Sequence, residues 1–177
     1  TEGFIEKYRD KLGRTKAALA TLEYPRGEWS AGLDSEVPGM GAPRHVFAQK
    51  QSGYYVFPIS VPMGNLNVMQ LRGLAGIAEA HGLHDIRATQ DQNMFFANVP
   101  EAKIEILRSA MAELGLGEPQ IGDNVVACPG TSTCRLGITS STILAPKLNG
   151  GSQDLKIRVS GCHNGCAQPE AGDIGIY

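Results

Sequence analysis

The most constraining feature of this 177-residue chain is the placement of its four cysteines. The first 127 residues contain none, and the pattern is then Cys128-x5-Cys134, 27 intervening residues, and Cys162-x3-Cys166. A secreted disulfide framework spreads its bridges through the fold, so clustering in the last fifty residues points to one shared site. Four thiolates match a cubane iron–sulfur cluster in number and softness. They also match a structural zinc site, or two disulfides or buried thiols, and all three readings stand on residue type alone. Spacing favours the cluster, because structural zinc prefers pairs two to four residues apart and Cys128-x5-Cys134 is wider. Context favours it too. Pro129 and Gly130 follow Cys128, while Gly161 and Gly165 flank Cys162, and such residues let backbone amides turn toward sulfur.

The remaining composition narrows the class. A hydrophobic fraction of 42% with 19% charged residues describes a folded globular chain. The net charge of −2 gives no electrostatic footprint for nucleic acid, so none is expected as partner. Apolar runs such as residues 94–97 are far too short to span a membrane. No basic and apolar leader opens the chain, so a cytoplasmic protein is expected. The chain starts at Thr1 and stops at Tyr177 within an apolar strand pattern, Ile174-Gly175-Ile176. A fragment of a longer polypeptide is the expectation.

Periodicity supplies the elements. In residues 1–22, Phe4, Ile5, Tyr8, Leu12, Ala18, Leu19 and Leu22 recur at helical spacing, with Thr1 as a cap and Pro25 as a stop. Residues 25–48 are rich in Gly and Pro and read as an irregular arm. Residues 53–62 (GYYVFPISVP) predict a strand in which Pro58 implies an edge or a bulge. Residues 67–81 predict a helix with Val68, Leu71, Leu74, Ala75, Ile77 and Ala78 on its apolar face, closed by Gly82. Strands follow over 85–89 and 93–99, joined by the turn Gln90-Asp91-Gln92. Pro100 opens a second helix over 101–114, with Ile104, Ile106, Leu107, Ala110, Met111 and Leu114 as its buried stripe and Gly115 beyond its end. A strand over 124–127 leads into Cys128.

The order strand, helix, strand, strand, helix, strand is the split βαβ arrangement called ferredoxin-like. Beyond it, residues 136–145 predict a short helix ended by Pro146. In residues 155–159, Leu155, Ile157 and Val159 alternate with Lys156 and Arg158, a half-buried strand that delivers Cys162. The fold class is therefore α+β: a ferredoxin-like domain followed by part of a mixed α/β cysteine-bearing domain. The expected boundaries are 1–52 for a helix and linker, 53–123 for the ferredoxin-like unit and 124–177 for the cysteine-bearing unit.

Residues 127–139 (ACPGTSTCRLGIT) and 159–175 (VSGCHNGCAQPEAGDIG) resemble the two cluster-binding signatures of the sirohaem-dependent nitrite/sulfite reductase family. Residues 85–99 (DIRATQDQNMFFANV) resemble its repeat domain, and the likeness extends over about residues 53–177. The resemblance implies an oxidoreductase that carries a 4Fe-4S cluster and sirohaem, reducing nitrite to ammonia or sulfite to sulfide. It implies that Cys128, Cys134, Cys162 and Cys166 ligate the cluster, with Cys166 also bridging to the sirohaem iron. Arg87, Gln92, Asn93 and Asn164 fall at positions that would contact sirohaem carboxylates, and Thr133 and Arg135 could donate to cluster sulfur or haem carboxylate. Each has a plainer reading: Arg87 pairs with Asp85 or Asp91, and Gln92-Asn93 is a hairpin turn. His163 is read as exposed or supporting, not as a ligand.

Family enzymes are built from two related halves, and the likeness here is to the later one. The implied partners are the other half, on the same or a separate chain, a ferredoxin or flavoprotein electron donor, and a small oxyanion substrate. The interval from Cys134 to Cys162 is short for the family, and the substrate-facing Arg and Lys residues belong to parts outside this sequence. This stretch alone is not expected to reduce substrate. Two other assignments share features with it: a precorrin-3B synthase-like enzyme of cobalamin synthesis, and a non-catalytic iron–sulfur or zinc module.

Overall fold

The computed structural model describes residues 2–20 and 44–177. The predicted Thr1 cap, Pro25 stop and most of the Gly/Pro-rich arm lie outside those residues. The first predicted helix is present as α1 (Glu2–Ala20), and its stripe residues Ile5, Tyr8 and Leu12 are exposed.

Between Phe47 and Pro100 the chain builds a four-stranded antiparallel sheet. Its strands are β1 (Phe47–Ala48), β2 (Tyr54–Ile59), β3 (Ile86–Ala88) and β4 (Met94–Pro100), in the order β1-β2-β4-β3. Helices α2 (Val68–His81) and α3 (Ile104–Glu113) supply apolar side chains to its core. Asn67 caps α2 in a reciprocal box with Gln70, and Gly82 ends it in the left-handed region at φ 61, so both boundaries are chemically marked. The core gathers Phe57, Ile59 and Val61 from β2 and its exit, Phe96 and Val99 from β4, Leu74 from α2, and Leu107 and Met111 from α3.

Strict alternation would put Phe96 and Val99 on opposite faces. A bulge reconciles them. Tyr55 pairs with Val99 but Phe57 pairs with Phe96, so β4 carries one extra residue, and Asn98 within it adopts φ 57. Pro58 implies an edge or a bulge. The bulge lies next to it, and β1 pairs with Tyr55 and Val56, leaving Pro58 without a ladder partner on that side among the described residues.

A second, wholly parallel sheet has the order β5-β6-β7, formed by β5 (Val125–Ala127), β6 (Ile157–Val159) and β7 (Ile174–Ile176). Helix α4 (Ser141–Leu148) lies in the crossover from β5 to β6, as a parallel pair requires. Its Ala145 packs with Val125, Ala127 and Val159. Met63, from the turn after β2, packs against this small core, so the two sheets share a boundary.

Several expectations need correction. The strand before Cys128 belongs to the second sheet, and β1, read as irregular arm, fills the edge beside β2 in antiparallel pairing. The chain leaving α3 is carried past β2 by the Ser60 amide donating to Gly117 O at 2.6 Å. Pro146 lies inside α4 and does not end it; the carbonyl that loses its helical partner there is that of Thr142. Val68 and Leu71, placed on the apolar face of their helix, and Ile106, assigned to a buried stripe, are 64%, 57% and 50% exposed. Arg158, taken as the solvent side of its strand, is buried, because that side of β6 meets the β3–β4 turn.

Phe96 is fully buried at the centre of the larger core. Phe96→Ala is expected to cost about 3–5 kcal/mol, measured as a shift in the urea midpoint with little change of slope.

Candidate metal centre

Parallel neighbours release their chains on the same edge of a sheet, and here that edge carries the cysteines. Ala127 pairs with Val159, so Cys128 begins one residue beyond β5 and Cys162 three beyond β6. The ladder continues one step further, with the Cys128 amide donating to Val159 O at 3.0 Å.

Two limbs grow from these ends. In the first, 128–141, the Cys134 amide donates to Gly130 O at 3.0 Å and the Gly137 amide to Cys134 O at 3.1 Å. In the second, 160–166, the Gly165 amide donates to Cys162 O at 3.3 Å, and Gly165 has φ 64. The limbs are bonded to each other: Ile138 and Thr139 both donate backbone amides to Gly161 O, at 2.7 and 3.0 Å.

This closeness depends on glycine. A Cβ on Gly161 would stand 2.6 Å from the Gly130 Cα, and one on Gly137 would stand 2.6 Å from the Gly130 carbonyl carbon. The backbones touch where side chains would hold them apart: Gly137 on Gly130 within the first limb, and Gly161 of the second limb on Gly130.

Cys128 has the most developed surroundings. The Gly161 amide donates to its Sγ at 3.0 Å. The hydroxyl of Ser141, a residue only 1% exposed, lies 2.7 Å from Cys128 O and 3.6 Å from its Sγ. With one proton for two acceptors, Ser141 favours the nearer carbonyl, so Gly161 is the donor fully committed to sulfur. Burial pushes the Cys128 thiol up, but the Gly161 amide, Ser141 and the amides of Gly130 and Cys128 itself outweigh it and hold it below the usual thiol range. All four cysteines are free thiols; Cys134 and Cys166 are exposed, and Cys128 and Cys162 are half-buried.

Among the described residues, no three His, Cys, Asp or Glu side chains are gathered closely enough to hold a metal ion. A single tetrahedral ion needs its sulfurs within about 4 Å of one another. A cluster presents a different iron to each thiolate and does not need that spacing. The residues fit such a group in donor type and number and in the amide aimed at sulfur.

The other predicted site residues divide clearly. Thr133, Arg135 and Asn164 are exposed on the cysteine limbs, with no side-chain hydrogen bond to the described residues. Arg87 is paired with Asp85 through two bonds, Nε to Oδ1 at 2.7 Å and Nη2 to Oδ2 at 2.6 Å. Gln92 has both ends of its amide engaged on Ala127. Asn93 is buried, its Oδ1 accepting from the Val61 amide at 2.7 Å. Arg87, Gln92 and Asn93 thus each engage a protein partner. His163 stacks on Tyr177, ring centroids 5.8 Å apart, and is exposed.

Sequence reading missed Ser141, Arg158 and Asp91. Serine and a strand's charged residue carry no signal of burial by themselves.

Comparison with known proteins now decides the family. Residues 47–114 match the model of the nitrite/sulfite reductase ferredoxin-like half domain. The chain is 34% identical over 151 residues to the sulfite reductase [NADPH] hemoprotein beta-component of Methylorubrum populi. The chain belongs to the nitrite/sulfite reductase family. That alignment covers 75% of this chain and 24% of the relative. The chloroplastic ferredoxin–nitrite reductase of Spinacia oleracea is 31% identical over 141 residues, covering 74% of this chain and 24% of that protein. This member of the family thus spans about a quarter of the length of the curated relatives it matches. In fold it is similar to the NirA protein of Mycobacterium tuberculosis, with a TM-score of 0.64 and 24% identity over 77% of this chain and 28% of that one. Among the described residues, no helix is long and apolar enough to cross a membrane.

Gly161→Ala should force the two limbs apart at the Gly130 contact. The expected cost is about 1–3 kcal/mol, with faster amide exchange at Ile138 and Thr139 than at the core strands β2 and β4.

Proposed function

We propose that this chain is the cluster-bearing part of a sirohaem-dependent nitrite or sulfite reductase. In this reading, Cys128, Cys134, Cys162 and Cys166 hold a 4Fe-4S cluster and Cys166 also meets the iron of sirohaem. The observation that carries it is the adjacency of the two cysteine limbs at the ends of β5 and β6, with the Gly161 amide of one limb bonded to the Cys128 sulfur of the other. The printed activities of the relatives, one NADPH-linked sulfite reductase component and one ferredoxin–nitrite reductase, support the reaction class.

When bound, such a cluster and haem would supply electrons one at a time for a six-electron reduction. This chain's own residues have simpler duties. The Gly161 amide aims its partially positive hydrogen at the Cys128 sulfur, which stabilises the thiolate and would favour the more reduced state of a bound cluster. Thr133, Arg135 and Asn164 project from the limbs as exposed donors suited to haem carboxylates. Leu136 and Ile138, 66% and 70% exposed on the first limb, offer apolar surface of the kind a macrocycle or a second protein half covers. The remaining parts of the reading are the other half of the reductase, a ferredoxin or flavoprotein donor and a small oxyanion substrate.

Anaerobic reconstitution with iron and sulfide tests the reading. The expected product holds about four irons and four sulfides per chain with brown visible absorbance, and Cys128→Ala lowers both counts. A colourless chain that takes up one zinc, or two disulfides with no iron uptake, would contradict it. In the sirohaem-loaded enzyme, Cys166→Ser is expected to abolish the magnetic coupling between haem and cluster, read by EPR or Mössbauer spectroscopy. Coupling that survives the change would remove the bridging role.

A further inference from the structure

The turn between β3 and β4 reaches out of its own sheet to both strands that carry the cysteines. Gln92 presents its side-chain amide to Ala127 as a neighbouring strand would: its Nε2 donates to Ala127 O at 2.7 Å, and the Ala127 amide donates to its Oε1 at 3.1 Å. Ala127 is the residue before Cys128, and consecutive amides point to opposite edges of a strand. Cys128 therefore bonds to Val159 on β6, while Ala127 faces the other way, where β5 has no strand beside it among the described residues.

One residue earlier, Asp91 accepts from Arg158 Nη2 at 2.7 Å, and the Arg158 side chain is 10% exposed. Arg158 sits on β6 opposite Val126. Gln92 holds φ 61, a region that non-glycine residues enter only when their surroundings hold them there. The two contacts span 35 and 67 residues of sequence.

We propose that Asp91 and Gln92 form a positioning latch: the turn fixes the ends of β5 and β6 so that Cys128 and Cys162 stand in register for the cluster. The latch rests on the reading of the four cysteines as cluster ligands. It assigns Gln92 a role through the backbone of Ala127. It also ties retention of the cluster to the order of the ferredoxin-like sheet, because β4 begins two residues after Gln92.

The test uses the full chain with Gln92→Met, which keeps volume and removes both hydrogen bonds, beside Gln90→Ala, an exposed neighbour in the same turn. In the metal-free chain, Gln92→Met is expected to speed amide exchange at Ala127 about tenfold or more, with Gln90→Ala unchanged. In the reconstituted chain, Gln92→Met is expected to lose iron to a chelator several-fold faster than Gln90→Ala. Should Gln92→Met not fold, Gln92→Ala, which also removes both hydrogen bonds, must show the same order of rates. Unchanged exchange at Ala127 overturns the latch. Faster exchange with equal iron loss overturns its service to the cluster. Failure of every variant and the parent chain to take up iron removes the cluster reading itself, while the exchange result still judges the latch.

Discussion

The parallel pairing of β5 with β6 is the constraint on which the rest of the structure depends. Adjacent parallel strands need a crossover, which here contains α4, and they release their chains on one edge. That edge holds both cysteine limbs. Antiparallel pairing of the same strands would send the limbs to opposite edges and leave four thiols with no common site. The register then sets the detail: with Ala127 opposite Val159, the amide of Gly161 falls within 3.0 Å of the Cys128 sulfur.

Close approach of the limbs carries this constraint forward. Gly130 meets both Gly137 and Gly161 at the backbone, and Ser141 fills the space behind them while binding the Cys128 carbonyl. The Ser160 hydroxyl, also buried, accepts from the Ala167 amide at 3.1 Å and folds the second limb back on its own strand. The limbs are shaped by small residues and short polar bonds more than by apolar burial. The core beneath them is accordingly slight: Val125, Ala127, Ala145 and Val159. The larger sheet compensates by docking its β3–β4 turn onto β5 and β6.

Much of this was legible in sequence because the signals were local. The Gly82 closure of α2 and the turn at residues 90–92 each marked element boundaries within a residue or two. The cysteine spacing pointed to a shared site because a disulfide framework would have spread its bridges beyond the last fifty residues. What stayed hidden was relational. Whether the strand at 125–127 joins the first sheet or a second depends on the path past Gly117, which no local pattern encodes. Arg158 and Gln92 look like surface residues until the two sheets are placed together. Arg87 shows the reverse: its paired reading with Asp85 was available from sequence, and the structure adopts it.

The most direct measurement of the central claim is X-ray absorption at the iron edge of the anaerobically reconstituted chain. Four sulfurs converging from the two limbs predict an all-sulfur first shell with a short iron–iron distance behind it. A shell of oxygen or nitrogen with no iron–iron scattering would show that the limbs, although adjacent, do not embrace a cluster.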